Sequence, residues 1–301
     1  MNVRIATLIA LVSSAAQSCS GPASAAQADS TKTVSSGGIA ITASSLAKHA
    51  KKLRKKVPKG FTVVVEEPFV VVGDEPPAVV RKRADTVVRW TVDRLRADFF
   101  TLDPLHIIDI WLFADEDSYL VHAKKIFGDT PDTPYGYYSD EHGALVMNIA
   151  TGGGTLVHEI VHPFMEANFP ECPPWFNEGL GSLYEQSRDM DGHIWGLPNW
   201  RLPGLQDAIL AGKVPSFKWL ASLDDHGFYV DDPGTNYAQA RYLCLYLQEQ
   251  GLLTAYYHAF HKNHGSDPTG YATLKKTLGV EDMGEFKKDW EDWVMGLEFE
   301  Q

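Results

Sequence analysis

The 301-residue chain has no surplus of positive charge: 39 Asp and Glu outnumber 27 Lys and Arg, for a formal net charge of −12. No global basic field exists to draw in phosphates, so nucleic acid is excluded as a partner. Beyond its first stretch the chain also lacks any apolar run of about 20 residues, the length needed to cross a bilayer, so no later segment reads as a membrane span. Internal repeats are absent. Cysteine is sparse, with Cys19, Cys172 and Cys244 the only three, so at most one bridge can form among them. Hydrophobic residues make up 44%, enough to bury a large core, and the length suits one main domain with at most a small appendage.

The N-terminus has Arg4, an apolar run over residues 5–16 and then small residues ending in Ala23, Ser24 and Ala25. This pattern predicts a secretory signal over residues 1–25 and export to the periplasm, the medium or the cell envelope. A lipid anchor on Cys19 is the less supported alternative, because the leucine usual three residues earlier is missing. Residues 26–45, rich in Ala, Ser, Thr and Gly, read as a flexible linker, leaving 46–301 as the folded domain. Lys48, Lys51, Lys52, Arg54, Lys55, Lys56 and Lys59 then cluster beside Leu46, Ala50, Leu53 and Val57 at helical spacing. The segment 48–59 reads either as a basic helix touching an anionic envelope surface or as the solvated face of a helix docked by its leucines.

Apolar and β-branched residues predict strands within 61–72, 106–113 and 144–149, with helices over 78–100 and 116–127 between them. This gives an N-terminal α/β part, residues 46–150, whose last strand is expected at the edge of a cleft. An extended peptide would add to that strand by main-chain hydrogen bonds. The Tyr- and Pro-rich stretch 129–143 reads as a loop over the cleft. After residue 185 helical patterns dominate, at 202–211, 216–223, 236–250, 252–261, 271–278 and 283–297. The fold class is therefore α+β.

The most informative segment is TLVHEIVHPFMEANFPECPPWFNEGLGSLYE, from Thr155 to Glu185. A helix turns about 100° per residue, so His158 and His162 stand about 40° apart, one turn above the other, and can grip one metal ion. Glu159 falls on the neighbouring line, where a general base for a metal-bound water belongs. A second short helical pattern starts at Glu178 and turns Leu180, Leu183 and Tyr184 to a separate apolar side, so Glu178 projects away from its own core. His158, His162 and Glu178 make a three-ligand N, N, O set for one catalytic zinc; the bland alternative is that Thr155, His158, Glu159, His162 and Glu166 are only the solvated face of an amphipathic helix, which leaves the placing of Glu178 unexplained. Pro163 lacks the N–H that would bond the Glu159 carbonyl, and a kink or break is expected after His162. Gly152, Gly153 and Gly154 before this helix read as the cleft floor, or as an ordinary strand-to-helix turn.

The pair HEIVH and NEGLGSLYE resembles the gluzincin branch of metallopeptidases, HExxH plus a downstream glutamate, and within it the peptidase MA-like proteins of bacterial envelopes. The resemblance implies a thermolysin-like metallopeptidase fold with a mainly helical second lobe. It also implies peptide-bond hydrolysis with Glu159 as base and His158, His162 and Glu178 as zinc ligands. Aminopeptidase-type relatives carry a GAMEN segment whose glutamate holds the substrate amine; the matching stretch here, 143–150, has no acid, which points to an endopeptidase acting on peptides or proteins. In gluzincins a tyrosine from the helical lobe often stabilises the oxyanion, and Tyr237 is the first candidate, with His226 and Tyr229 as rivals and a core aromatic as the other reading. Glu185 and Ser182, with Asn177 behind them, are candidates for orienting the ligand imidazoles. Cys172 and Cys244 read either as a bridge clamping the ligand-bearing loop to the next helix or as two buried thiols. Two other activities share these residues: a peptidase-like binding module without catalysis, and a zinc amidase acting on wall peptides.

Overall fold

Successive side chains of a strand point to opposite faces of its sheet, and the central strands of the larger sheet here are apolar on both. The structure, a computed structural model, describes residues 41–299. The predicted signal segment and residues 26–40 of the linker lie outside the described residues. Strands β1 (Thr62–Glu66), β2 (Phe69–Gly73), β3 (Asp109–Phe113), β4 (Gly136–Ser139) and β5 (Ala144–Asn148) form one mixed sheet in the order β1-β2-β3-β5-β4. The central pairs β2–β3 and β3–β5 are parallel, and the outer pairs β1–β2 and β4–β5 are antiparallel.

Phe69, Val71, Ile110, Leu112, Leu145 and Met147 point to one face, and Val70, Val72, Trp111, Phe113, Ala144 and Val146 to the other. Each face has its own helical cover. Helix α1 (Ala43–Leu53) lies on the second face, capped by reciprocal Thr42 and Ser45 hydrogen bonds and docked by the buried Leu46, Ala50 and Leu53. The linker therefore ends earlier than residue 45; of the basic segment, Lys48, Lys51 and Lys52 are on the exposed side of this packed helix, and Arg54, Lys55, Lys56 and Lys59 are exposed beyond its end. Helix α4 (Glu116–His122), continued by a wider turn at Ala123–Phe127, completes that layer. On the first face lie α2 (Pro77–Arg83) and α3 (Trp90–Asp98), joined by a wider turn at Ala84–Arg89, and then α5 (Gly154–Asn168).

Helix α5 shares one continuous core with the helical second half, from α6 (Pro174–Leu183) and the hairpin β6 (Ser187–Met190) and β7 (His193–Gly196) onwards. After these come α7 (Leu202–Leu210), α8 (Phe217–Ala221), α9 (Asp225–Tyr229), α10 (Pro233–Glu249), α11 (Leu253–Asn263), α12 (Tyr271–Leu278) and α13 (Met283–Met295). The layout is the expected α+β. Helix α10 packs directly on α6, because Gly179 offers no side chain and a Cβ there would stand 3.0 Å from both the Ala240 carbonyl oxygen and Cys244 Sγ.

Four expectations are corrected. The cleft-side edge of the sheet is β4, not the strand over 144–149, because part of the Tyr-rich stretch pairs with β5 (Tyr138↔Leu145) and covers it. Of the kink or break expected after His162, the break does not occur: α5 runs through Pro163 to Asn168. Its neighbour Phe164 is buried against Phe100 and Phe69, with ring centroids 5.8 and 6.2 Å away, and the Asn168 side chain ties the helix end to the backbone of Thr101 and Leu102. Helix α6 begins at Pro174, four residues before Glu178, since proline at a first helical position gives up no hydrogen bond. The hairpin β6–β7 and the short α9 were not expected at all.

Candidate metal centre

Helices α5 and α6 place His158, His162 and Glu178 together, one ligand atom from each lying within 4.8 Å of the others. Glu178 Oε2 is 3.2 Å from His158 Nε2 and 3.8 Å from His162 Nε2. A tetrahedral zinc with bonds near 2.0–2.1 Å has ligand-to-ligand edges of about 3.3 Å, so the set closes around such an ion with small shifts. His162 Nε2 is buried with no hydrogen-bond partner among the described residues, an orphan of the kind a metal ion satisfies. The two imidazole rings stand 4.9 Å apart at 74°, close enough for a nitrogen of each to reach one ion.

The other nitrogen of each ring is also accounted for. His162 Nδ1 donates to Asn177 Oδ1 at 3.0 Å. His158 Nδ1 faces Glu185 Oε1 at 3.4 Å, within ion-pair range though not aligned as a hydrogen bond. Both arrangements favour the tautomer with the proton on Nδ1 and Nε2 left to coordinate. Ser182 takes no part in this: its hydroxyl donates back along α6 to the Glu178 carbonyl at 2.5 Å, the ordinary local bond of a helical serine. Asn177, the weaker candidate from sequence, is the group that meets an imidazole.

The electrostatics suit a cation. Burial works against a charged His158, but the Glu178 and Glu185 carboxylates outweigh it and raise the imidazole to about 10. Burial likewise opposes ionisation of Glu178, yet the two imidazoles and the Tyr229 hydroxyl bring it down to about 2. Glu185 is held lower still against its burial, chiefly by Arg201. Without a metal, the proton on His158 occupies the place a dication would neutralise. Glu159 is different: burial is its dominant influence and raises its carboxyl above the ordinary value, against the pull of both imidazoles. It is 1% exposed, and its Oε1 has no hydrogen-bond partner among the described residues.

Glu159, His162 and Glu178 open into a cleft of about 290 Å³. Tyr138 of β4, Leu145 of β5 and Ile108 form one wall, and Met165, Phe169 and Tyr229 contribute elsewhere. Tyr229, at the end of α9, donates to Glu178 Oε1 at 2.6 Å. Tyr237 is 4% exposed, does not line the cleft and sits under the Arg201 guanidinium, 5.1 Å from its ring centre. The cleft tyrosine is thus Tyr229; Tyr237 lies behind the cleft lining, its buried hydroxyl without a hydrogen-bond partner among the described residues and pushed well above its ordinary pKa by burial and by the Glu178 carboxylate, and His226, on the same short helix as Tyr229, is exposed. Gly152, Gly153 and Gly154 do not floor this cleft. Gly154 is needed for internal packing, since a Cβ there would fall 2.1 Å from the Glu185 carbonyl oxygen.

Cys172 and Cys244 are both buried thiols with no disulfide between them. Cys172 turns its Sγ to the Pro173 carbonyl at 3.7 Å, whereas Cys244 points at Gly179 of α6, so the two face different neighbours. Two buried arginines lay outside the sequence reading. Arg201 forks onto Glu185, and Arg241 donates to the carbonyls of Ser182, Leu183 and Leu197, fixing the end of α6. No local pattern marks either one, because their partners are 16 and more than 40 residues away in sequence. No protein-family model matches this chain, and no curated protein matches it.

Proposed function

We propose that the protein is an exported zinc metallopeptidase of the gluzincin type, with a thermolysin-like arrangement of its lobes, that hydrolyses internal bonds of peptides or proteins. One observation carries the reading: a buried His158, His162 and Glu178 set stands beside a buried, unpartnered Glu159 oxygen at the head of a cleft. A solvated helix face would leave these groups wet. The N, N, O donor set with room on its cleft side matches catalytic zinc better than a closed structural site. A zinc ion held there supplies a water of lowered pKa and a Lewis acid for the scissile carbonyl.

Glu159 takes a proton at Oε1 and returns it to the leaving amine nitrogen; its raised carboxyl makes it a better base near neutral pH than a solvated glutamate. Tyr229 lines the cleft and gives its single O–H to Glu178 Oε1; turning that proton from Glu178 to the substrate is how it would stabilise the oxygen that develops charge. An extended peptide lies along β4, whose only strand pairing among the described residues is to β5. The Arg4, apolar run and small-residue pattern of residues 1–25 supports the export part of this reading.

The test is Glu159→Gln against a peptide library, with and without a chelator. The variant is expected to keep zinc and lose hydrolysis, while His158→Ala and Glu178→Ala lose the metal. Full hydrolysis by the Gln variant, or by chelated wild type, overturns the reading.

A further inference from the structure

His158 is completely buried and has a carboxylate at each ring nitrogen, Glu178 at Nε2 and Glu185 at Nδ1. Such a ring coordinates through Nε2 only if Nδ1 keeps its proton and the ring keeps its rotation, and both depend on where the Glu185 carboxylate sits. That carboxylate is held from behind. Arg201 Nε donates to Oε2 at 3.1 Å and Nη2 to Oε1 at 2.9 Å, and Asn199 Nδ2 adds a third bond to Oε2 at 2.9 Å. The oxygen that Nη2 grips is the one facing His158.

Arg201 is itself fixed. It is 7% exposed, lies between the Trp200 and Tyr237 rings at 4.1 and 5.1 Å, and its backbone N–H donates to Asn199 Oδ1 at 3.0 Å. We propose that Arg201 is a positioning residue of the metal site, acting through Glu185 to set the rotation and tautomer of His158. This rests on His158 being a ligand, as read above.

The argument turns on shape as well as charge. A guanidinium offers two parallel N–H bonds to a carboxylate and so fixes its plane, whereas an ammonium fixes only a distance. In a surface ion pair the difference is small, because water takes up the slack. Here the pair is buried, and removing the cation leaves Glu185 enclosed without its partner and free to turn away from His158.

The experiment compares the wild-type chain with Arg201→Met, Arg201→Lys, Glu185→Gln and the double variant Arg201→Met/Glu185→Gln. Zinc affinity is measured by competition with a chromophoric chelator, and the visible spectrum of the cobalt(II)-loaded protein reports ligand geometry. Arg201→Met should bind zinc about 10- to 100-fold more weakly and alter the cobalt spectrum. Arg201→Lys, with the charge but not the fork, should recover only part of the loss and serves where the Met variant does not fold. The double variant should be no worse than Glu185→Gln, because both act along one line. Wild-type zinc affinity and cobalt spectrum in the Arg201 variants overturn the proposal even if their Tm falls, since a merely structural arginine would change Tm alone. A wild-type chain that takes up no zinc overturns the metal reading beneath it, so the two failures are distinct.

Discussion

Gly181→Ala separates what the helix needs from what the site needs. Gly181 lies inside α6 with no positive φ, where alanine is favoured over glycine by about 1 kcal/mol through backbone entropy. Opposing this, the new methyl would stand 3.3 Å from Cε1 and Nε2 of His158, closer than ordinary carbon contacts. The ring must withdraw by a few tenths of an ångström, and it is wedged between two carboxylates. For the metal-free protein the two effects nearly cancel, so its stability should change by less than about 1 kcal/mol, or roughly 2–4 °C in Tm. For the metal they do not cancel. Ligand distances tolerate only about 0.2 Å, so zinc affinity should fall about tenfold or more. Thermal unfolding in chelator, paired with a zinc competition titration, reads both numbers. Unchanged zinc affinity, or a metal-free protein destabilised by several kcal/mol, would refute the reasoning.

Gly154→Ala should behave in the opposite way: the 2.1 Å approach is to backbone, which cannot swing aside, and chemical denaturation should show a loss of about 1–3 kcal/mol. Tyr229→Phe should lower kcat about 100-fold, while Tyr237→Phe, whose ring is not part of the cleft lining, should cost less than about tenfold; steady-state assays of the pair distinguish the two tyrosines. Metal-free protein should be most stable between about pH 4.5 and 6.5. Glu178, held near 2, contributes stability above its unfolded value of 4.5 that is lost as pH falls toward 2. His158, raised to about 10, contributes stability below its unfolded value of 6.5 that fades as pH rises toward 10. Zinc replaces that proton and should abolish the alkaline loss; a metal-free Tm that climbs from pH 6.5 to 9 would contradict this.

The parts of the fold and site written in short-range patterns were legible. Two histidines one turn apart needed only helical periodicity, and the strands of the central sheet announced themselves by β-branched runs such as Val70, Val71 and Val72. Asn177 and Tyr229 were visible as candidates but could not be ranked, since their roles depend on how α6 and α9 pack around Glu178. Arg201 was not visible, because its bond to Glu185 requires the β6–β7 hairpin to bring the chain back, and that hairpin is polar along Ser187–Met190. Edge and interior strands were exchanged for a similar reason. Tyr137 and Tyr138 stand in a stretch dominated by turn residues, and only pairing with Val146 and Leu145 makes it a strand.

The two-sided sheet sets a limit on processing of the N-terminus. Helix α1 shields Val63, Val70 and Val72 on the face of the sheet opposite α5, through its buried Leu46, Ala50 and Leu53. Trimming that stops before Thr42 leaves the lid closed and its reciprocal cap intact. Cleavage that reaches Thr62 would remove that cover and expose a valine-rich surface, and the shortened protein should aggregate.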